Sequence, residues 1–164
     1  MPSQQNLFAK FAKELPVGEL TWIGVRPERK SPMVELESVE VIEGLGLEGD
    51  HRTKKSLGSA RQVTIISEEF ISHIALFSGK EEVHPSDLRR NLVVKGLNLN
   101  ALRYQEFWIG EVKFEARALC HPCSRMKVPL GPRGVSSMIG YGGLCLVALN
   151  SGRLTLGDKL KVHD

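Results

Sequence analysis

Cysteine is scarce in this sequence, with three residues in 164, an odd number far below the density of a disulfide-stapled scaffold. Free thiols in a reducing compartment are therefore expected. No stretch approaches the about 18 apolar residues that a membrane span needs. The N-terminal MPSQQNLFAKFAKELP is broken by lysines and lacks the apolar run of a secretory signal. Both absences point to a cytoplasmic protein without a membrane partner, in which FAKFAKEL reads as a short amphipathic helix used for packing. Charge of one sign is lacking too. Lys and Arg number 22 against 19 Asp and Glu, a net +3, whereas nucleic-acid binders cluster their basic residues, so no nucleic-acid partner is expected. There is no internal repeat and no long linker. What remains, 41% hydrophobic and 25% charged residues, is the composition of one ordinary globular domain, long enough to bury a core without staples.

Short β-like runs punctuated by glycine fill most of the chain. GELTWIGV reads as a first strand ending at Arg26-Pro27, and MVELESVEVI as a second by its alternation. A glycine-spaced loop of about 18 residues follows, EGLGLEGDHRTKKSLGSA, a length that is usually functional or disordered. RQVTIIS reads as a buried strand. SEEFISHIALF is the one clear helix: Ser67 caps it, Glu68 and Glu69 suit its positive end, and Phe70, Ile71, Ile74 and Phe77 form its apolar stripe. HPSDLRRN reads as a turn around Pro85, and NLVVKG as a short strand. FWIGEVKFEARAL is a hairpin turning at Gly110-Glu111. KVPLGPRGV is a proline- and glycine-broken stretch, and two or three strands close the chain. The expected fold is mainly β (α+β), a barrel or sandwich with one clear helix and short peripheral helices, not a βαβ fold.

Four constellations can carry chemistry. Cys120-His121-Pro122-Cys123 places a C-x-x-C directly after a strand, with Arg125 and Lys127 near enough to lower a thiol pKa. A structural zinc site needs four ligands, and only His51, His121 and Cys145 are available to complete one. A thioredoxin-like redox pair wants a βαβ context. A single thiolate holding sulfur or a soft metal such as molybdenum is the third reading, and inert buried thiols the fourth. In Leu88-Arg89-Arg90-Asn91, paired arginines suit a bidentate anion and Asn91 an amide-like heterocycle edge; the alternative is a solvated turn. In Gly49-Asp50-His51-Arg52, with Arg61-Gln62, Asp50 can orient His51 or tie down an arginine. Glycines 44, 46 and 49 mimic a dinucleotide fingerprint, but no helix pattern follows. In Gly140-Tyr141-Gly142-Gly143, the backbone N–H groups can cradle an anion, or the run is a tight turn into LCLVAL. A soft thiolate with several anion-binding elements suits a phosphorylated, sulfur-rich cofactor.

GLEGDHR, RQVTIISEE, DLRRNLVVKGLNLNAL, WIGEVKFEARALCHPCSRM, GYGGL and SGRLTLGDKLKV, in that order, resemble a MOSC domain, the C-terminal domain of molybdenum cofactor sulfurases. The resemblance covers roughly residues 18 to 163. It implies residues 1–17 as an N-terminal extension and 18–164 as the domain. It also implies a MOSC-like β-barrel with a pocket for the molybdenum cofactor, a phosphate-bearing pyranopterin. The cysteine that carries sulfur or ligates molybdenum in the family matches Cys123. The family's R-x-N element falls on Arg89 and Asn91, His121 takes a place where relatives have a small polar residue at the cofactor, and Ser67 matches a helix-start contact. The tyrosine that some relatives use near the last strand has no match, because Tyr141 lies three residues early and Leu144 takes its place.

Two activities follow from the resemblance: a molybdoenzyme reducing N-hydroxylated compounds, and a non-catalytic carrier of sulfur or cofactor. The first needs a small-molecule substrate and an external electron-transfer protein, with Cys123 the metal ligand and catalytic centre. Asp50 and His51 would then be pocket-wall or proton-handling groups. The second needs an external cysteine desulfurase, because 164 residues leave no room for a pyridoxal-phosphate domain. A binding module that has lost the cofactor is a third class.

Overall fold

The computed structural model describes residues 3–55 and 57–163. After helix α1 (Gln4–Ala12), the chain forms β1 (Gly18–Val25), β2 (Val34–Leu36), β3 (Ser38–Ile42) and β4 (Gly46–Leu47). A 3-10 turn, His51–Lys54, leads to β5 (Val63–Ser67), α2 (Glu68–Ser78), α3 (Pro85–Leu88) and β6 (Leu92–Lys95). Then come β7 (Glu106–Ile109), β8 (Val112–Leu119), α4 (Lys127–Leu130), α5 (Gly134–Met138), β9 (Leu144–Ala148), β10 (Gly152–Thr155) and β11 (Lys159–Lys161).

Seven strands close into a barrel in the order β1-β11-β7-β8-β9-β5-β6, with β6 returning to β1 and β2 appended to β1. Every pair is antiparallel except β5–β6, which is parallel and joined through α2. The expectation of a mainly β barrel holds, and one βαβ crossover sits inside it. Closure relies on the full-length β1, whose Glu19 lies opposite both Lys95 of β6 and Lys159 of β11. Its carboxylate meets Lys159 Nζ at 2.8 Å and Lys95 Nζ at 3.8 Å. The barrel is filled by Leu20, Ile23, Ile65, Leu92, Phe107, Phe114 and their neighbours, all fully buried, and burial of such side chains stabilises by roughly 1.5–3 kcal/mol each.

The helix after β5 forms for the anticipated reasons. Ser67 Oγ accepts from the Phe70 amide at 3.0 Å, Glu68 and Glu69 occupy the first turn, and Gly79 ends it in the left-handed region. Its apolar stripe differs by one residue: Ile74 and Ala75 are buried, but Phe77 is 46% exposed, stacked on His73 and tilted against Tyr141. MVELESVEVI is two strands, not one. β2 extends the barrel from β1, while β3 pairs with β10 and β4 in a separate three-stranded sheet. HPSDLRRN is a helical turn, since Pro85 takes the first helical position and His84 Nδ1 accepts from the Ser86 amide. KVPLGPRGV likewise contributes α4 and the start of α5. No helix among the described residues is long and apolar enough to cross a membrane.

Candidate functional site

Asp50 is the hub of the loops at one end of the barrel. Its carboxylate is 2% exposed. One oxygen accepts from the Arg26 amide and from Asn91 Nδ2, both at 3.0 Å, and the other from the Arg52 amide at 3.0 Å. His51 Nδ1 and Arg52 Nη1 stand 3.4 and 3.6 Å away. Asn91, expected to read a heterocycle edge, spends its whole amide inside the protein. Its oxygen accepts from the Thr64 amide and hydroxyl, and its nitrogen donates to Gly24 O and Asp50. No group is left to read a ligand, so Asn91 ties β1, β5 and the Asp50 loop together.

Around this one carboxylate the fold gathers several guanidiniums. Arg26, at the end of β1, is 6% exposed, and its Nε has no partner. Burial brings its pKa down to about 10, and the charges of Arg89 and Arg52, with a smaller share from Arg125, push the same way against the pull of Asp50. Arg52 Nη1 and His51 Nδ1 are also buried without a hydrogen-bond partner. Burial chiefly, then Arg52 and Arg26, lower the His51 pKa against Asp50, so the imidazole is neutral at neutral pH. Arg89 takes a left-handed backbone at the end of α3, φ 61°. Its guanidinium donates to Arg29 O at 3.3 Å, the carbonyl that also accepts from Arg26 at 2.9 Å. Two guanidiniums thus share a single neutral oxygen. Buried positive charge in excess of its counter-ions is costly unless an anion completes it.

The cysteine loop follows β8. Cys123 is exposed and precedes a 3-10 turn, Ser124–Met126, without capping it through its side chain. Arg125, two residues on, is near enough to Arg26 for its charge to act there. Cys120, just past the end of β8, and Cys145, on β9, are buried free thiols whose side chains meet in a hydrogen bond. Hydrogen bonding from Cys145, then the charges of Arg90, Arg61 and Arg52, bring Cys120 down to about 6 against the effect of burial. Cys145, the donor, is pushed up. Arg90 is buried and fully used, donating to Gly142 O at 2.8 Å, Leu88 O at 3.1 Å and Cys120 O at 3.5 Å.

The remaining expected site residues divide clearly. His121 is exposed and lines a cavity with Cys120 and Pro122. Ser67 is fully buried and committed to capping α2, so it has no surface to offer a cofactor. Gly142 and Gly143 are buried, and the fold leaves no room for a side chain at either position. A Cβ on Gly142 would meet Cys120 O at 2.2 Å, and one on Gly143, where φ is 89°, would meet Ile65 O at 2.0 Å. Among the described residues no three His, Cys, Asp or Glu side chains converge to hold a metal, so His51, His121 and Cys145 do not complete a zinc site with the C-x-x-C. Sequence reasoning missed Arg26, read only as a strand end, and the Cys120–Cys145 pair. A charged residue directly after an apolar strand was the available signal for the first; the second had none, since 25 residues separate the two cysteines.

The fold and site define a closed β-barrel with an exposed thiol on the loop after β8 and a partly unpartnered arginine cluster at the strand ends. The chain belongs to the MOSC domain family, whose model matches residues 52–161, a family associated with the molybdenum cofactor. Solved structures agree on the fold. YuaD from Bacillus subtilis superposes with a TM-score of 0.76 at 20% identity, over 89% of this chain and 95% of that one. YiiM from Geobacillus stearothermophilus gives 0.68 at 14%, over 89% and 74%, and YiiM from Escherichia coli 0.64 at 19%, over 90% and 68%. A search of curated proteins finds no match to the sequence.

The residues fit the cofactor in two respects. The orphaned donors of Arg26 and Arg52 suit its anionic oxygens, and an exposed thiol suits a soft metal.

Proposed function

We propose that this protein binds the molybdenum cofactor and reduces N-hydroxylated compounds, with Cys123 as the thiolate ligand. The observation that carries the reading is the buried cationic surplus of Arg26 and Arg52, with unpartnered donors, at the loop that bears an exposed cysteine. Arg26, Arg52, Arg89 and Arg125 hold the anionic oxygens. Asp50 and Asn91 position Arg26 and Arg52 through their backbone amides and the strand ends. The cofactor, when bound, supplies the two-electron redox chemistry, and the protein supplies position and charge. The net reaction is R–NHOH + 2 e⁻ + 2 H⁺ → R–NH₂ + H₂O. His51, beside Asp50, is the proton-handling group of this reading: its neutral imidazole takes up a proton from solvent and passes it on. Electrons come from an external iron–sulfur or flavin protein.

One observation favours a second reading. Cys123 is open to solvent, as a thiol accepting sulfur from a cysteine desulfurase must be. A carrier would complete one stoichiometric sulfur transfer and stop.

The test uses protein from a cofactor-producing host. Elemental analysis should find molybdenum in the wild type and none in Cys123→Ser, with the melting temperatures of the two cofactor-free proteins equal, because an exposed thiol adds little to the core. Loss of metal in Cys120→Ser alone would move the ligand to Cys120. Sustained consumption of hydroxylamine with a reduced donor supports the reductase; a single turnover supports the carrier.

A further inference from the structure

Beside the cysteine loop lies a cavity of ≈ 290 Å³, walled by Cys120, His121 and Pro122 on one side and by Met138, Ile139 and the 140–143 glycine run on the other. We infer that this cavity receives an uncharged, single-ring apolar portion of the substrate, with Ile139 setting its size. The inference rests on the reductase reading.

Position comes first. Pro122, on the cavity wall, is the residue before Cys123, so the cavity adjoins the loop that carries the thiol. Size comes second. Small-molecule pockets run from about 300 to 1,000 Å³, and this one lies at the lower limit, room for a ring with its substituent, since an apolar cavity of about 150 Å³ already holds benzene. Lining comes third. Met138 and Ile139 give hydrocarbon, and Gly142 brings its backbone against Cys120 O, where a side chain would not fit. A pterin, edged with N–H and C=O groups, would lose hydrogen bonds against this lining. Ile139 stands at the rim with 67% of its surface exposed, and covering it with a ring removes apolar area from water.

Charge sets the last limit. No acidic residue lines the cavity, and the chain has no carboxylate side chain between Glu115 and Asp158. Behind Gly142 lies the Arg90 guanidinium, 3.4 Å from where a Cβ would stand. A cation entering would meet like charge and find no counter-ion.

Benzamidoxime, neutral, and its para-aminomethyl derivative, cationic, are titrated into cofactor-free protein and followed by NMR. Benzamidoxime should bind saturably and the cation at least tenfold more weakly. Ile139→Trp should weaken benzamidoxime at least tenfold, whereas Val128→Trp, on a residue 90% exposed and outside the cavity, should leave it unchanged. Absence of saturable binding, equal or tighter binding of the cation, or an unaffected Ile139→Trp overturns the inference. The charge comparison needs only the wild type, so it stands whether or not the variant folds. Hydroxylamine, which has no ring, separates the two proposals. If the loaded protein reduces it while benzamidoxime does not bind, the cavity assignment alone fails. If benzamidoxime binds but neither compound is reduced, the reductase reading alone fails.

Discussion

Asp50 is the residue on which the site depends, because it is the one carboxylate among buried guanidiniums and the acceptor for three N–H groups from three chain segments. Removing one partner of a buried charge network costs about 3–5 kcal/mol, since the remaining charge has no compensation. Asp50→Asn should therefore lose stability of that order in denaturant unfolding. A loss below 1 kcal/mol would show that water already screens the arginines. Cys120 gives a pH signature. Its pKa is lower in the folded chain, about 6, than the ordinary 9.0 of a thiol. Between those values the unfolded chain binds more protons, so stability gained at the alkaline end is lost as pH falls through 6. Thiolate ultraviolet absorbance should persist to about pH 6 in Cys123→Ser, where Cys123 adds no signal. Cys145→Ala, which deletes the hydrogen-bond donor, should move that midpoint up. An unmoved midpoint would place the cause in the arginines alone.

At the level of elements, the best-signalled helix is also the best understood. Ser67→Ala removes the acceptor for the Phe70 amide, which is buried where water cannot replace it, and should cost about 1 kcal/mol, a typical N-cap loss. Retention of full stability in thermal unfolding would mean that another group caps α2. The hairpin β7–β8 turns at Gly110-Glu111 as its sequence indicates. The break at Glu37 is marked in MVELESVEVI only by a change of phase, the apolar residues falling at Val34 and Leu36 before it and at Val39 and Val41 after it. The pairing of Val39 and Val41 with β10 and β4, while Val34 stays at an exposed edge, separates the two strands. Four-residue helices such as Pro85–Leu88 are too short for periodicity to reveal, although the proline and its capping histidine marked the place.

Across the whole molecule, barrel closure brings charge to one end. Arg26, Arg52, Arg89 and Arg125 come from four separate loops and act on one another only because β1 meets both β6 and β11. Such a cluster should bind a polyanion in the folded state alone. Pyrophosphate at about 100 times its Kd should add about 2.7 kcal/mol of stability, raising the melting temperature by about 5–10 °C. The rise should vanish in the double variant Arg26→Met, Arg52→Met, and an undiminished rise there would place the anion elsewhere.

What the sequence by itself determined is local: period-two strands, the two-residue hairpin turn, the Ser67 cap, and the ordered motifs that mark the MOSC family. These depend on neighbours a few residues apart. Tertiary structure alone decided that Asn91 ties β1, β5 and the Asp50 loop together, that Cys120 meets Cys145, and that Arg26 reaches Asp50. These partners lie 24 or more positions apart, and their meeting is set by the register in which the barrel closes and not by any pattern along the chain.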